Sequence, residues 1–323
     1  MHHIFLSCDW GTTNFRLRLV DRKTLVVKAV VQSEEGVAAV FAQWQQSAGG
    51  TDRVSFYQQV LQRHVTIMGE QIGKPLTGVP MIISGMASSS IGMMELPYKQ
   101  LPLSVMDINL LYHQSEATNA FSHPIVLVSG ARTEGDVMRG EETQLAGCAI
   151  DAAPEAQVFI FPGTHSKHVT VATGVATNFA TYMTGETFQL LANKSILANS
   201  VAANDAWHEK GNRAAFEQGV LDGKAHNILH QAFMVRTNSL FERYNAAANY
   251  WYLSGLLIGH ELQSIQQTHT GLITIVGNGV IVDIYQAACT VLGLQHVKAE
   301  DANIALIRAH AKLFDKLFAN TIK

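Results

Sequence analysis

One stretch near the start of the sequence constrains the fold more than any other. Asp9-Trp10-Gly11-Thr12-Thr13-Asn14-Phe15-Arg16 follows the apolar run Ile4-Phe5-Leu6 and leads into the alternating Phe15-Arg16-Leu17-Arg18-Leu19-Val20-Asp21. Apolar residues at every second position predict strands, so the stretch reads as strand, tight turn and strand, with Gly11 at the tip. Lacking a Cβ, Gly11 lets the backbone approach a ligand closely. The hydroxyls of Thr12 and Thr13 stand beside the turn's N–H groups, and such a nest of donors suits an anion, phosphate above all. Asp9, ending the first strand, is placed to hold Mg²⁺ directly or through water, and Arg16 adds positive charge. Ordinary hairpins use the same turn residues. The apolar strand before the motif and the arginine at its eighth place favour a nucleotide-phosphate site over a plain turn.

Composition narrows the class. The 323 residues suffice for one large or two ordinary domains, and 47% hydrophobic content is ample for their cores. A formal net charge of −3 gives no basic field, so neither nucleic acid nor an anionic membrane is an expected partner. Cys8, Cys148 and Cys289 are odd in number and widely spaced, which fits a reducing compartment and argues against a disulfide framework or a thiolate zinc site. No signal-peptide pattern opens the sequence and no apolar run reaches membrane-spanning length. The expectation is a cytoplasmic globular protein acting on a small molecule, with a homodimer allowed.

Along the chain, Leu25 to Val31 predicts a third strand, completing an antiparallel meander. Asp52 to Ile72 has apolar residues three and four apart and predicts a helix. Val79 to Ser84 reads as a strand ending at Gly85, followed by the small-residue loop Met86 to Gly92, whose serines suit sugar hydroxyls or a plain connector. After a strand at Ile125 to Ser129 comes the densest polar run, Arg132 to Gly147. Gly135 and Gly140 interrupt it, so it predicts a loop entering a helix near Gly140, with Glu141 and Glu142 at the helix N-terminus. The polar break at Asp151 to Glu155 marks a boundary between residues 1–152 and 153–323. Beyond it, Ala156 to Phe161, the turn Pro162-Gly163-Thr164-His165-Ser166-Lys167 and His168 to Val171 repeat the opening pattern, as a second phosphate loop would. Val175 to Met183 predicts a strand closed by Thr184-Gly185-Glu186. Arg213 to Phe233, Asn245 to Leu262, Tyr285 to Leu292 and Ala302 to Phe318 predict helices. The strand Leu272 to Val276 runs into Gly277-Asn278-Gly279, where a nucleotide edge could sit.

These motifs resemble, in order, those of the 2-dehydro-3-deoxygalactonokinase family, sugar kinases of the actin, Hsp70 and hexokinase superfamily. The resemblance rests on Asp9 to Asn14, on Gly85-Met86 with Pro97-Tyr98, and on the long run Asp136-Val137-Met138-Arg139-Gly140-Glu141-Glu142-Thr143-Gln144-Leu145. It continues through Pro162 to Lys167, Thr184-Gly185-Glu186 and Ser254 to Gly259. It implies an α/β chain of two ribonuclease-H-like domains with a nucleotide cleft between them, the first domain carrying the sugar-side loops and the second the adenosine side. The implied activity is ATP-dependent phosphorylation of the 6-hydroxyl of 2-dehydro-3-deoxy-D-galactonate. The alternatives are another sugar acid or amino sugar, because Met93 stands where the family commonly has Trp, or a non-catalytic regulator. In this reading Asp9 holds Mg²⁺, and Gly11, Thr12, Thr13, Arg16, Gly163, Thr164, Lys167 and Gly277 bind ATP. Glu141 is the base with Asp136 as rival, and Arg139 is the partner of the substrate carboxylate, unless it pairs with a neighbouring acid.

Overall fold

The computed structural model describes residues 3–47, 50, 52–151, 155–268 and 271–318. The chain forms two compact units, one of Met1–Asp151, Gly174–Thr177 and Asn303–Lys323, the other of Ala152–Thr173 and Asn178–Ala302.

The first unit opens with the meander β1 (Ile4–Trp10), β2 (Phe15–Asp21) and β3 (Val27–Ser33), then α1 (Val37–Gln46) and α2 (Arg53–Ile72). The parallel strand β4 (Met81–Gly85) follows, with a single 3-10 turn, Met86–Ser88, at its end. Short strands come next: β5 (Lys99–Gln100), β6 (Leu103–Ser104), β7 (Tyr112–Ser115), β8 (Ile125–Val128), β9 (Ala131–Arg132) and β10 (Val137–Met138), ahead of α3 (Glu141–Gly147). The main sheet has the order β3-β2-β1-β4-β8-β7, and a small sheet has the order β10-β9-β5.

Strand alternation divides the main sheet into two chemically distinct faces. Leu6, Cys8, Trp10, Leu17, Leu19, Met81 and Ile83 point into a core shared with Tyr57, Val60, Leu61 and Met68 of α2. Asp52 caps α2 by accepting from Ser55 N at 3.0 Å, and Gly73 ends it at φ 70°. The opposite face carries Ser7, Asp9, Arg16, Arg18 and Ser84.

The second unit repeats the topology: the meander β11 (Gln157–Phe161), β12 (Ser166–Ala172) and β13 (Val175–Tyr182, in this unit from Asn178 onward), then parallel strands β14 (Ile273–Gly277) and β15 (Val297–Asp301) beyond β11. Its helices are α4 (Thr184–Lys194), α5 (Lys210–Ala225), α6 (Ile228–Leu240), α7 (Ala246–Thr268) and α8 (Val280–Val291). Three antiparallel strands followed by parallel ones, in both units, is the ribonuclease-H-like arrangement expected. Helices α5 and α7 lie backbone to backbone. A Cβ added to Gly223 would sit 2.1 Å from Leu256 O, and one added to Gly255 would sit 2.1 Å from Phe216 O. The small residues at Ser254 to Gly259 serve this close approach.

Four expectations change. The helix read over 213–233 is two helices, because Asn227 starts α6 by accepting from Leu229 N at 3.0 Å. Thr184 begins α4 rather than closing a strand. Helix α1 and strand β15, too weakly patterned to be read, are both present. The last helix, α9 (Ala302–Phe318), belongs from Asn303 onward to the first unit, where the reading had placed it in the second. It covers the polar face of the first sheet: His310 bonds Ser7 Oγ at 2.8 Å and Ser84 Oγ at 3.1 Å, and Phe314 packs on Phe5. Gly147 of α3 meets α9 so closely that a Cβ would lie 1.7 Å from Ala305 O. Cys8, Cys148 and Cys289 are all buried free thiols. No described helix is long and apolar enough to cross a membrane.

Candidate active site

The hairpin between β1 and β2 is closed by Gly11 N donating to Asn14 O at 2.9 Å. The start of α1 takes up its carbonyls, Val37 N reaching Gly11 O at 2.9 Å and Ala38 N reaching Thr12 O at 3.1 Å. Gly36 makes that contact possible, since a Cβ there would lie 2.3 Å from Thr12 O. With its carbonyls drawn back, the loop presents Thr12 and Thr13 to solvent. Beneath it Trp10 is fully buried, donates from Nε1 to Glu35 O at 2.9 Å, and packs on Phe15 and Tyr57.

Asp9 lies opposite Arg16 on β2 and Ser84 on β4. Burial pushes its carboxyl pKa up, against the opposing pull of Arg18 and Arg16. Arg16 extends to α9, where its Nη1 donates to Asn303 Oδ1 at 3.0 Å. The structure therefore gives it a partner on α9 rather than at the hairpin tip.

Gly85, at φ 90°, ends β4 so close to β1 that a Cβ would lie 2.8 Å from Trp10 O. Gly140, at φ 119°, caps α3 with its own Cβ position 3.6 Å from Gly85 Cα. Only glycine is comfortable in these conformations. Together they bring the N-terminus of α3, and Glu141, to the strand end that carries Asp9. Glu141 is half-buried and accepts from Arg139 N at 3.1 Å. Glu142 is buried, with both oxygens accepting from Gly140 N (2.8 and 3.0 Å) and one from Thr143 Oγ1 (2.8 Å). Burial first, then the charge of Glu141, raises its pKa to about 7. Asp136 sits in the turn between β9 and β10, where it accepts from Val137 N at 2.7 Å.

Arg139 does not hold out an open fork. Its Nη1 donates to Ser88 O at 2.7 Å and Ser88 Oγ at 2.6 Å, and its guanidinium lies 4.2 Å over the Tyr98 ring. It staples the serine turn to the start of α3. Ser88 is buried, so that turn is a packed element and not a loose connector.

In the second unit the β11–β12 hairpin exposes Gly163 and Thr164, and a Cβ on Gly163 would meet nothing within 4 Å. The first turn of α4 presses against it. Glu186 N donates to Thr164 O at 3.0 Å, His165 pairs with Glu186, and a Cβ on Gly185 would lie 2.5 Å from Gly163 O. These two segments line one part of a cavity of about 640 Å³ whose remaining lining includes Phe188, Trp207, Tyr250, Trp251 and Ile281. That size and this mixture of aromatic wall and convergent backbone polar groups are typical of small-molecule sites. Lys167, expected to face a terminal phosphate, is buried in β12 on the face opposite Ser166 and His168, with Nζ donating to His165 O at 2.8 Å. Gly277 ends β14, and the turn it begins leads to α8, whose Val280 and Ile281 line the cavity. The sequence gives Thr184 and Gly185 as a family motif without a site role, and gives no sign of the aromatic wall. The Thr-Gly-Glu after a strand was a usable sign for the first two; the aromatics converge from three segments, 188, 207 and 250–251.

Two ribonuclease-H-like units, each with a glycine-hydroxyl hairpin, one with carboxylates at a strand end and one with an aromatic cavity, define a carbohydrate kinase of the actin-like ATPase fold. The chain belongs to the 2-keto-3-deoxy-galactonokinase family, whose sequence profile matches residues 9–309. A Rhizobium meliloti protein provisionally assigned as a 2-dehydro-3-deoxygalactonokinase is 30% identical over 311 residues, 94% of either chain. The Escherichia coli K12 2-dehydro-3-deoxygalactonokinase is 28% identical over 296 residues, 90% of either chain. A crystal structure of a protein from Sinorhizobium meliloti, provisionally assigned to the same activity, superposes with a TM-score of 0.77 at 28% identity and covers 97% of both chains. The activator of 2-hydroxyisocaproyl-CoA dehydratase from Clostridium difficile, TM-score 0.51 at 10% identity over 99% of this chain and 98% of that one, shares the fold alone. The family implies ATP as phosphoryl donor.

Proposed function

We propose that the protein transfers the γ-phosphoryl group of ATP to the 6-hydroxyl of 2-dehydro-3-deoxy-D-galactonate. The observation that carries the catalytic half of this reading is the convergence of Asp9 and the Gly140-Glu141 helix start on one strand end, built by Gly85 and Gly140. Phosphoryl transfer needs positioning and charge neutralisation more than covalent chemistry. In the second unit, the exposed backbone of Gly163 and Thr164 and the first turn of α4 bind phosphate oxygens, and the aromatic wall takes the nucleoside. In the first, Thr12 and Thr13 supply further donors. Glu141 accepts the proton leaving the sugar hydroxyl. Glu142, with both oxygens on Gly140 N, holds the turn that aims Glu141.

Asp9 fits a magnesium site reached through one carboxylate. Among the described residues no three His, Cys, Asp or Glu side chains cluster as a metal cage, and Mg²⁺ is commonly held by one or two carboxylates together with waters and substrate phosphates. When bound, Mg²⁺ neutralises charge on the phosphates. Arg139 acts on the acceptor side by fixing the Ser88 turn, Lys167 braces its hairpin through His165 O, and Arg16 ties β2 to α9.

The test is ADP release with ATP and Mg²⁺ across a panel of sugar acids. The expected result is the highest kcat/KM on 2-dehydro-3-deoxy-D-galactonate. A tenfold preference for 2-dehydro-3-deoxygluconate or an amino sugar would move the acceptor, and ligand binding without turnover would make the protein a regulator.

A further inference from the structure

We infer that Glu261 is a positioning residue that fixes the phosphate end of the nucleotide cavity, an inference resting on the nucleotide reading above. Glu261 projects from α7 and is 3% exposed. Its Oε1 accepts from Ser166 Oγ at 2.7 Å and from His168 Nε2 at 2.7 Å. Its Oε2 accepts from Tyr285 OH at 2.8 Å and from Thr184 Oγ1. A carboxylate offers about four acceptor positions, and here four donors from three other elements fill them.

Those elements build the cavity. Ser166 and His168 are the first and third residues of β12, directly after the Gly163–His165 turn. Thr184 is the first residue of α4, next to the Gly185 that presses on Gly163. Thr184 and Tyr285 line the cavity themselves. One buried charge thus ties the two segments that present backbone N–H groups to the wall that faces them. The arrangement also assigns hydrogens. With the hydroxyls of Thr184 and Tyr285 donating to Glu261, only their lone pairs remain for a ligand, so these two groups do not donate to phosphate. Burial pushes the Glu261 pKa up, but donation from His168, Thr184 and Ser166 more than offsets it and the net shift is downward. The same negative charge adds to burial in raising Tyr285 well above its usual value.

Glu261→Gln keeps the shape and removes the charge. The amide has one acceptor oxygen, so at least two of the four donors lose their acceptor or must turn round. The experiment compares steady-state kinetics of the full chain with separately varied ATP and sugar acid, alongside thermal unfolding. The expected result is a KM for ATP raised about tenfold or more, as a fraction of an ångström of drift in a positioned group gives, with the KM for sugar acid changed less than threefold. Thr184→Val removes one tether without changing bulk and should raise the KM for ATP in the same way; Thr184→Ser should restore it. This pair decides the matter if Glu261→Gln does not fold. An unchanged KM for ATP in the folded variants, whatever happens to thermal stability, overturns the inference. A wild-type chain that neither binds nor uses ATP overturns the nucleotide reading instead.

Discussion

Replacing Gly185 by alanine sets two effects of opposite sign against each other. Gly185 is the second residue of α4, and in an isolated helix alanine is favoured over glycine by about 1 kcal/mol. In the fold, the added methyl would lie 2.5 Å from Gly163 O, 2.8 Å from Thr164 Cα and 3.0 Å from Gly163 C, where ordinary contact begins at 3.4 Å. All three atoms are backbone, so no side chain can swing aside. The hairpin must retreat by nearly an ångström, stretching the 3.0 Å bond from Glu186 N to Thr164 O. Overpacking of this kind costs roughly 1–3 kcal/mol, which leaves stability between unchanged and about 2 kcal/mol lower. Catalysis should respond more sharply. Misplacement of about 1 Å costs on the order of 10²-fold, so kcat/KM for ATP should fall by about that factor. Coupled ADP release measures it. The control is Gly211→Ala in the first turn of α5, where nothing lies within 4 Å of the new methyl; it should match wild type in rate and equal or slightly exceed it in stability. If Gly185→Ala keeps kcat/KM for ATP within threefold of wild type, the claim that this glycine sets the hairpin's position is wrong.

Other outcomes follow from the same geometry. Gly223→Ala, whose methyl would meet Leu256 O at 2.1 Å, should lower the urea midpoint of the second unit by an amount equivalent to about 2 kcal/mol; a raised midpoint would mean that helix propensity outweighs packing there. Glu142 has a folded pKa near 7 against an ordinary 4.5, so the folded chain holds the extra proton. The stability this confers is complete below the ordinary value and is lost as pH rises through 7, roughly 3 kcal/mol in all. Glu142→Gln should therefore flatten the decline in stability between pH 5 and 8, whereas denaturation curves that stay parallel to wild type would contradict that assignment. Asp9→Asn should cut Mg²⁺-dependent kcat by about 10²-fold or more without unfolding the chain, and near-normal turnover would remove it from the metal role. Glu141→Gln should lower kcat by roughly 10²–10⁴-fold while Asp136→Asn stays within a few fold; the reverse pattern moves the base to the β9–β10 turn.

The local geometry of the candidate site was legible because neighbouring residues set it. A tight turn after a strand needs Gly11, and a helix that starts abruptly after Gly140 puts Glu141 at its N-terminus. Both are set by backbone sterics within a few residues. Periodicity likewise located α2 and α9, since their apolar stripes are written at three and four residue spacing. Arg139 and Lys167 have partners that such reading does not record. A charged residue beside a phosphate-like turn looks available to a ligand, but Lys167 donates to His165 O, and Arg139 finds Ser88, fifty-one positions away.

The amino-acid sequence determined where the chain turns, which faces of its strands are apolar, and which family's motifs it carries, because each is a property of neighbouring residues. The tertiary structure decided that α9 closes the polar face of the first sheet, that Gly36 and Gly185 carry no side chain because another backbone occupies its place, and that four donors converge on Glu261. Those facts depend on segments distant in sequence coming within van der Waals contact, and no local spacing records which segments will meet.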